Sequence, residues 1–447
     1  MKILLVNPWI TDVAAYDFWL KPVGLLVLAD KLRGAGHEVC LLDCLDRLDP
    51  GFLAFSGKTP GVKPDGTGRF FHEPLPPPPA LAGIPRRFKR YGFSRSWVRR
   101  WLEQLPQTFG RPDRILVTSM MTYWYPGVWE MVGELKGFFP GVPVLLGGVY
   151  ASLLPEHAAL SGASDVCSCA DLGGVRAFLE RWGITLSPGE ALVPDYTVYT
   201  HAGSHLVYVS SVGCVNRCTY CATPLLQPFT QNDPGFLLER MVQDVSRTGI
   251  RNVAFFDDAL LVHHEEHFDV VLKGIIAAGL PQRGVRFHLP NGIHARHLTF
   301  STAQLLFRAN VQTIKIGLET IDPHRQRTSG GKVATEEFVR AVGYLQQAGF
   351  SGQQVAAYLI ANLPGQTEQE LLLAKELCER LGIRAQVNEY TPIPRTHDFQ
   401  QLVEKGLLPA QLDPLLLNNS LLPYWWKAGM DAETIDRIKN VFRTKSR

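Results

Sequence analysis

Short apolar runs alternate with amphipathic stretches along most of the chain, and the two periodicities predict alternating strands and helices. Residues 3–6 are all apolar and read as a buried strand. Leu25, Leu26, Leu28, Ala29 and Leu32 form a helical stripe ended by Gly34 and Gly36, and 39–42 gives the next strand. The rhythm resumes with strands at 114–119, 142–146 and 165–169, and helices at 128–138, near 156–160 and at 174–182. Such alternation predicts a parallel sheet covered on both faces, with ligands at the carboxyl ends of its strands. A second series follows, with strands at 206–210, 252–256, 286–289, 313–316, 354–360 and 386–390 and helices between them. Six strands, each followed by a helix, make most of an α/β barrel whose chemistry sits on the loops after the strands.

Between the second and third strands of the first series, where a crossover of roughly 20 residues would suffice, stands the segment 51–112. It reads as an insertion: a Pro run at 76–79, a turn at 63–66, and a helix in which Trp97, Trp101 and Leu105 oppose Arg95, Arg99 and Arg100. The expected divisions are 1–185 with the insertion at 51–112, a linker at 186–204, the second α/β region at 205–400, and a helical tail at 401–447.

Length and composition fit this plan. A chain of 447 residues suggests two or three domains, and 46% hydrophobic with 19% charged residues excludes a largely disordered chain or a fibrous repeat. No apolar run reaches the ~18 residues of a spanning helix, and the first residues read as a strand rather than a signal peptide. The net charge of +3 conceals a division. The insertion holds eleven Lys/Arg against three Asp/Glu, a balance of +8, which leaves −5 for the rest of the chain. Those cations could contact RNA phosphates or anionic lipid headgroups, but a structural, solvated insertion is the favoured expectation.

Eight cysteines in so long a chain are too sparse for a disulfide scaffold and point to a reducing cytoplasm. Three of them, Cys214, Cys218 and Cys221, fall within eight residues directly after the first strand of the second series. Three thiolates on one tight loop suit three irons of a [4Fe–4S] cluster, leaving the fourth open to a small molecule. Zinc is the alternative, although it usually takes a fourth protein ligand and no fourth Cys stands within a dozen residues, His205 being the nearest His.

With this C-x3-C-x2-C run and Tyr220 before its third cysteine, the region 205–400 resembles the radical S-adenosylmethionine (SAM) enzymes. The resemblance implies a cluster on Cys214, Cys218 and Cys221, SAM chelated to its open iron, and one-electron cleavage to a 5′-deoxyadenosyl radical. A one-electron donor such as flavodoxin or ferredoxin is implied with it. Asp257 and Asp258 end the second strand, Asn291 follows the third, Glu319 ends the fourth, and Pro364-Gly365 follow the fifth. By resemblance these positions hold SAM. Where many relatives carry Pro-Gly-Thr after the sixth strand, this chain has Pro394-Arg395-Thr396. A cation there could meet an anionic substrate or project into solvent, and solvent is the favoured expectation for Arg395.

The first half resembles the cobalamin-binding domain that precedes the barrel in one large radical SAM subgroup. Asn7-Pro8 after the first strand, Ser119 after the third, and Gly147, Gly148 and Ser152 after the fourth carry that likeness. Small residues there let a backbone approach a bulky cofactor tail. A D-x-H-x-x-G signature is absent, and Cys169-Ala170-Asp171 replaces the Gly-Glu-Gly-Glu-like run of relatives. The implied fold is a Rossmann-like cobalamin-type domain, a partial (β/α)6 radical SAM barrel and a short helical tail. The implied activity is methylation of an unactivated carbon. Radical rearrangement, cyclisation or C–C bond formation without methyl transfer stands as the alternative, and a non-enzymatic Fe–S or zinc protein binding nucleic acid as a remote one.

Two further motifs are set aside. His263, His264 and His267 are read as a solvated helix face, and Ser329-Gly330-Gly331-Lys332 as a turn without phosphate-loop spacing.

Overall fold

The computed structural model describes residues 1–443; the last four residues of the expected helical tail lie outside the described residues. Two compact units divide the chain: Met1–Tyr208 with Gln243–Ile250 and Asp413–Leu416, and Val209–Val242 with Arg251–Leu412 and Leu417–Arg447.

The first unit is built on a parallel five-stranded sheet. Its order is Glu38–Asp43, Lys2–Asn7, Arg114–Val117, Val144–Leu146, Asp165–Val166. Ile3 pairs with Val39 on one side and Arg114 on the other, so the chain reverses its direction of travel across the sheet at Lys2–Asn7. In open α/β sheets that reversal opens a crevice outside the strand ends, here at Asn7-Pro8 and Ser119. The helix Val23–Gly34 buries Leu25, Ala29 and Leu32 in one core with Ile3, Leu5, Leu116 and Leu145, as the 3.6-residue stripe requires.

The insertion has structure of its own. Its strands His72–Pro74 and Lys89–Tyr91 form an antiparallel sheet with Ile10–Asp12 of the first loop, Lys89–Tyr91 in the middle. Asp49 caps the helix Pro50–Ser56 and Ser94 caps Arg95–Thr108. Trp97, Val98, Leu102 and Leu105 face inward on the latter helix, and Trp101 is only half-buried. Much of the basic charge is spent inside the unit: Arg90 reaches Glu73 at 3.0 Å and Glu130 at 2.5 Å, and Arg95 donates to Glu134 at 2.7 Å.

The second unit carries the strands Asn252–Phe255, Arg286–His294, Val311–Glu319, Val355–Ala361 and Arg384–Glu389 side by side in chain order. From Asn252–Phe255 onward each neighbouring pair is parallel. Two strands run well past the sequence expectation, Arg286–His294 through a bulge between Leu289 and Gly292, and Val311–Glu319 to its final acidic residue. The strand at 165–169 is reduced to Asp165–Val166.

The histidine run departs from expectation. His264 and His267 are buried, not solvated, because Ala259–Val262 turn inward ahead of the helix Phe268–Ala277. His264 Nδ1 lies 3.2 Å from Asp269 and 3.1 Å from Thr302 Oγ1, and His267 Nε2 is 2.9 Å from the Asn232 carbonyl. These contacts are structural. Among the described residues no helix is long and apolar enough to cross a membrane.

Candidate active site

The cysteine loop is clamped at its base. Ser211–Val212 pairs antiparallel with Thr230–Gln231, so residues 213–229 leave and return through one short ladder. Gly213 sits there at φ 76°, and a side chain would drive into the Pro228 carbonyl. Glycine is required at that point.

Both aspartates of the second strand end reinforce the clamp. Asp257 Oδ1 accepts from Ser210 Oγ at 2.6 Å, Ser211 N–H at 2.5 Å and Ser211 Oγ at 2.8 Å. Burial pushes this carboxyl up to about 6, with those donors opposing the rise. Its Oδ2 is buried without a hydrogen-bond partner. Burial raises the Asp258 carboxyl too, with Thr223 and the Gly213 N–H, on either side of the cysteines, opposing the rise. Asn291 Nδ2 donates to the carbonyls of Phe256 and Asp257, each at 3.1 Å, locking that strand end to the next.

All three cysteines are free thiols and half-buried. The Asn216 N–H donates to Cys214 Sγ at 3.4 Å, and Cys221 N–H to the Cys218 carbonyl at 3.1 Å. Further bonds fix the loop from outside: Thr219 N–H donates to the Ser329 carbonyl, and its own carbonyl accepts from Asp398 N–H at 3.0 Å. Burial raises the Cys218 thiol to about 11, and the Lys332 ammonium opposes that rise.

Glu319 and Lys332 make the charged partner of this loop, Nζ to Oε1 at 2.9 Å with both side chains 16% exposed. Burial alone would lower Lys332, but Glu319 and the thiols outweigh it and its pKa rises. Gly317 is the residue that leaves room: a Cβ there would stand 2.9 Å from both Glu319 Oε1 and Lys332 Nζ. His294 Nδ1 lies 3.3 Å from Asn216 Nδ2, and burial, then Lys332, hold its imidazole neutral by lowering it to about 3.

Lys332, Gly330, His294 and Asn216 are the residues that sequence reading missed. Gly330 has φ 118°, and a Cβ on it would lie 2.9 Å from Cys218 Cα. The Gly-Gly-Lys turn is therefore the wall against which the cysteine loop packs. A pair of glycines and one lysine placed between the helices Pro323–Thr328 and Thr335–Ala348 was the available signal. Tyr220 packs at the edge of a core of Leu363, Tyr390, Leu422 and Trp426. Trp426 is thereby a core residue, with its Nε1 donating to the Leu407 carbonyl at 3.0 Å. Arg325 donates to the Pro364 carbonyl at 2.8 Å, and Gly365 turns at φ 69°. Arg395 is exposed.

Free thiols on a pinned loop, a nearby cation and the bare Asp257 Oδ2 fit a thiolate-bound cluster with an amino-bearing ligand beside it. Among the described residues no three His, Cys, Asp or Glu groups stand as they would around a single metal ion.

In the first unit Ser119 Oγ donates to the Gly147 carbonyl at 2.6 Å and Ser152 Oγ to the Gly148 carbonyl at 3.0 Å. Gly148 has φ 93°, and a Cβ there would meet the Ser119 backbone nitrogen at 2.6 Å. Gly147, by contrast, meets only Cys167 Cβ, at 3.6 Å. Asn7 Nδ2 donates to Asp43 at 2.7 Å and Pro8 is buried. Met120 and Met121, just after the third strand, are exposed.

A model of the Radical SAM superfamily matches residues 208–378. No curated protein matches the chain. Among solved structures, the fold is similar to that of the radical S-adenosylmethionine methyltransferase TsrM from Kitasatospora setae with tryptophan substrate and a SAM analogue bound. Identity is 15% over 90% of this chain and 76% of that chain, with a TM-score of 0.66. The same enzyme with cobalamin and a [4Fe–4S] cluster bound gives 15% identity and 0.64, covering 90% and 78%. The cobalamin-dependent SAM radical enzyme OxsB in apo form gives 11% and 0.58, covering 98% of this chain and 65% of that one. At these identities the likeness is one of fold.

Proposed function

Residues 208–378 are a radical SAM domain, and on that premise we propose that the chain is a cobalamin-dependent radical SAM enzyme that methylates an unactivated carbon. The observation that carries the proposal is the order of parts in one chain. A parallel sheet with its crevice at Asn7-Pro8 and Ser119 is followed by the sheet that bears the three-cysteine loop. TsrM, which shares this fold, has been solved with cobalamin and a cluster bound.

When bound, the cluster and SAM supply a 5′-deoxyadenosyl radical for hydrogen abstraction, and methylcobalamin supplies the methyl group. The chain's own residues have these roles. Cys214, Cys218 and Cys221 present their thiolates, and Lys332 offsets the negative charge they gather. Asp257 Oδ2, the one buried oxygen its loop contacts leave bare, would accept from the ammonium of SAM. Glu319, Tyr220, Asn291 and Pro364-Gly365 line the same strand ends. Gly147, Gly148, Ser119 and Ser152 shape the approach of a cobalamin tail, and Met120 and Met121 offer soft side chains to a corrin. The electron comes from a flavodoxin- or ferredoxin-type donor in the cytoplasm.

The test is anaerobic expression with cobalamin supplied, followed by measurement of iron, cobalamin and reductive SAM cleavage beside a Cys218→Ala control. Methyl transfer yields S-adenosylhomocysteine together with 5′-deoxyadenosine. Protein that binds no corrin and makes only 5′-deoxyadenosine would instead be a radical SAM enzyme of rearrangement or cyclisation. Cleavage indistinguishable from the Cys218→Ala control would overturn the radical reading itself.

A further inference from the structure

The insertion and residues 44–47 line a partly open cavity of about 280 Å³ within the first unit, and none of its lining residues has a role assigned above. Its size is near the lower end of the ~300–1,000 Å³ range of small-molecule sites. Four phenylalanines wall it: Phe52, Phe70, Phe71 and Phe93. Phe52 stands 4.8 Å from Phe93 and 5.3 Å from Phe71 between ring centroids, the latter pair nearly edge to face. These rings pack against one another and form an aromatic wall, against which a further flat ring can lie in the offset or T-shaped contacts that aromatic pairs favour.

The polar groups at the cavity are of one sign once their partners are counted. Asp46 faces it, but His201 lies 3.0 Å and Lys21 3.9 Å from its carboxylate, and it is buried. Arg47 is spent as well, on Asp17 at 2.7 Å and the Gly66 carbonyl at 2.9 Å. Lys58 and Arg69 remain. Both are exposed, and among the described residues neither pairs with a carboxylate. Lys58 Nζ is held 4.5 Å over the Phe71 ring of that wall. Two unneutralised cations beside an aromatic wall favour an anion over a neutral or cationic ligand.

We propose that this cavity is a binding site for a small anion carrying a planar ring, an aromatic carboxylate or a compound of like chemistry. The ring lies against the wall of Phe52, Phe71 and Phe93, and the charged group meets Lys58 and Arg69. The proposal concerns the first unit alone and stands whether or not the chain methylates a carbon.

It is tested by titrating the full-length protein with 2-naphthoate by calorimetry, beside cyclohexanecarboxylate and 2-(aminomethyl)naphthalene. The expected result is saturable binding of naphthoate at one site, with each comparator weaker by about tenfold or more. Lys58→Ala and Arg69→Ala should each weaken naphthoate by about tenfold without moving the thermal midpoint, since both side chains are exposed. Phe71→Leu should weaken it with the cations intact, and its midpoint reports whether the fold survives. No saturable binding, equal binding of the amine, or unchanged affinity in both cation variants would each overturn the proposal.

Discussion

At the scale of single residues, the site is defined by backbone that only certain side chains tolerate. Gly330 combines φ 118° with an approach of 2.9 Å to Cys218 Cα that a methyl group would close. Gly330→Ala is therefore expected to displace the cysteine loop, at a cost of about 1–3 kcal/mol. Iron bound per chain after reconstitution should fall together with the thermal midpoint; full iron loading at an unchanged midpoint would contradict the packing described. Glu319 shows the same economy in reverse, a non-glycine residue held at φ 62° by its ion pair to Lys332. Arg395 lies at φ 70°, at the position where many relatives carry glycine. A left-handed backbone costs a non-glycine residue about 1–2 kcal/mol, partly offset by the greater chain entropy of glycine. Arg395→Gly should thus raise the urea midpoint modestly, and a lower midpoint would mean that the arginine's own contacts outweigh the strain.

At the scale of elements, strands and helices with strong periodicity were legible, and long-range pairing was not. Runs such as 3–6 and the stripe of Leu25, Ala29 and Leu32 carry their answer locally. The three cysteines were legible for a similar reason, since their spacing is itself the chemistry. The turn at 329–332 was not, because what makes it part of the site is contact with Cys218, more than a hundred residues earlier. His264 and His267 misled for the same cause: their burial depends on Asp269, Thr302 and Asn232. The basic insertion is the fullest case. Its composition showed an excess of cations but not their partners, Glu73, Glu130 and Glu134. The pairing separates two kinds of arginine. Arg90 is 7% exposed at the side chain, bridges two glutamates and lies 4.8 Å from the Trp9 ring, whereas Arg99 is 53% exposed and 3.5 Å from Glu134. Arg90→Ala is expected to cost about 3 kcal/mol, having left two glutamates facing a gap. Arg99→Ala should cost about 0.5 kcal/mol or less. Chemical denaturation of the two variants side by side checks the contrast, and equal losses would refute it.

At the scale of the first unit as a whole, a buried polar network ties together segments far apart in the chain. Asp43 accepts from Tyr199 at 2.6 Å and Asn7 at 2.7 Å; Asp17 accepts from Arg47; Ser204 Oγ donates to the Gly66 carbonyl at 2.9 Å. The first strand, the insertion and the linker thus share one set of charges, and the network makes stability depend on pH through two histidines of opposite sign. His205 is 2% exposed, and burial, with Lys21 and Arg47 adding to it, lowers its pKa from 6.5 to about 4. The unfolded chain then binds the proton more readily, so this contribution is intact above about pH 6.5 and is lost as pH falls toward 4. His201 is raised instead, first by its bond to Asp46, so its contribution is present below its ordinary value and lost as pH rises through the folded one. Between pH 7 and pH 5 the His205 loss amounts to roughly 2 kcal/mol. His205→Gln should remove that loss, flattening the fall in urea-derived stability over the interval whatever the variant costs at pH 7. His201→Gln should do the opposite and steepen it, because the protonated imidazole no longer forms beside Asp46. Identical slopes in both variants and the parent would show that the network does not couple protonation to folding.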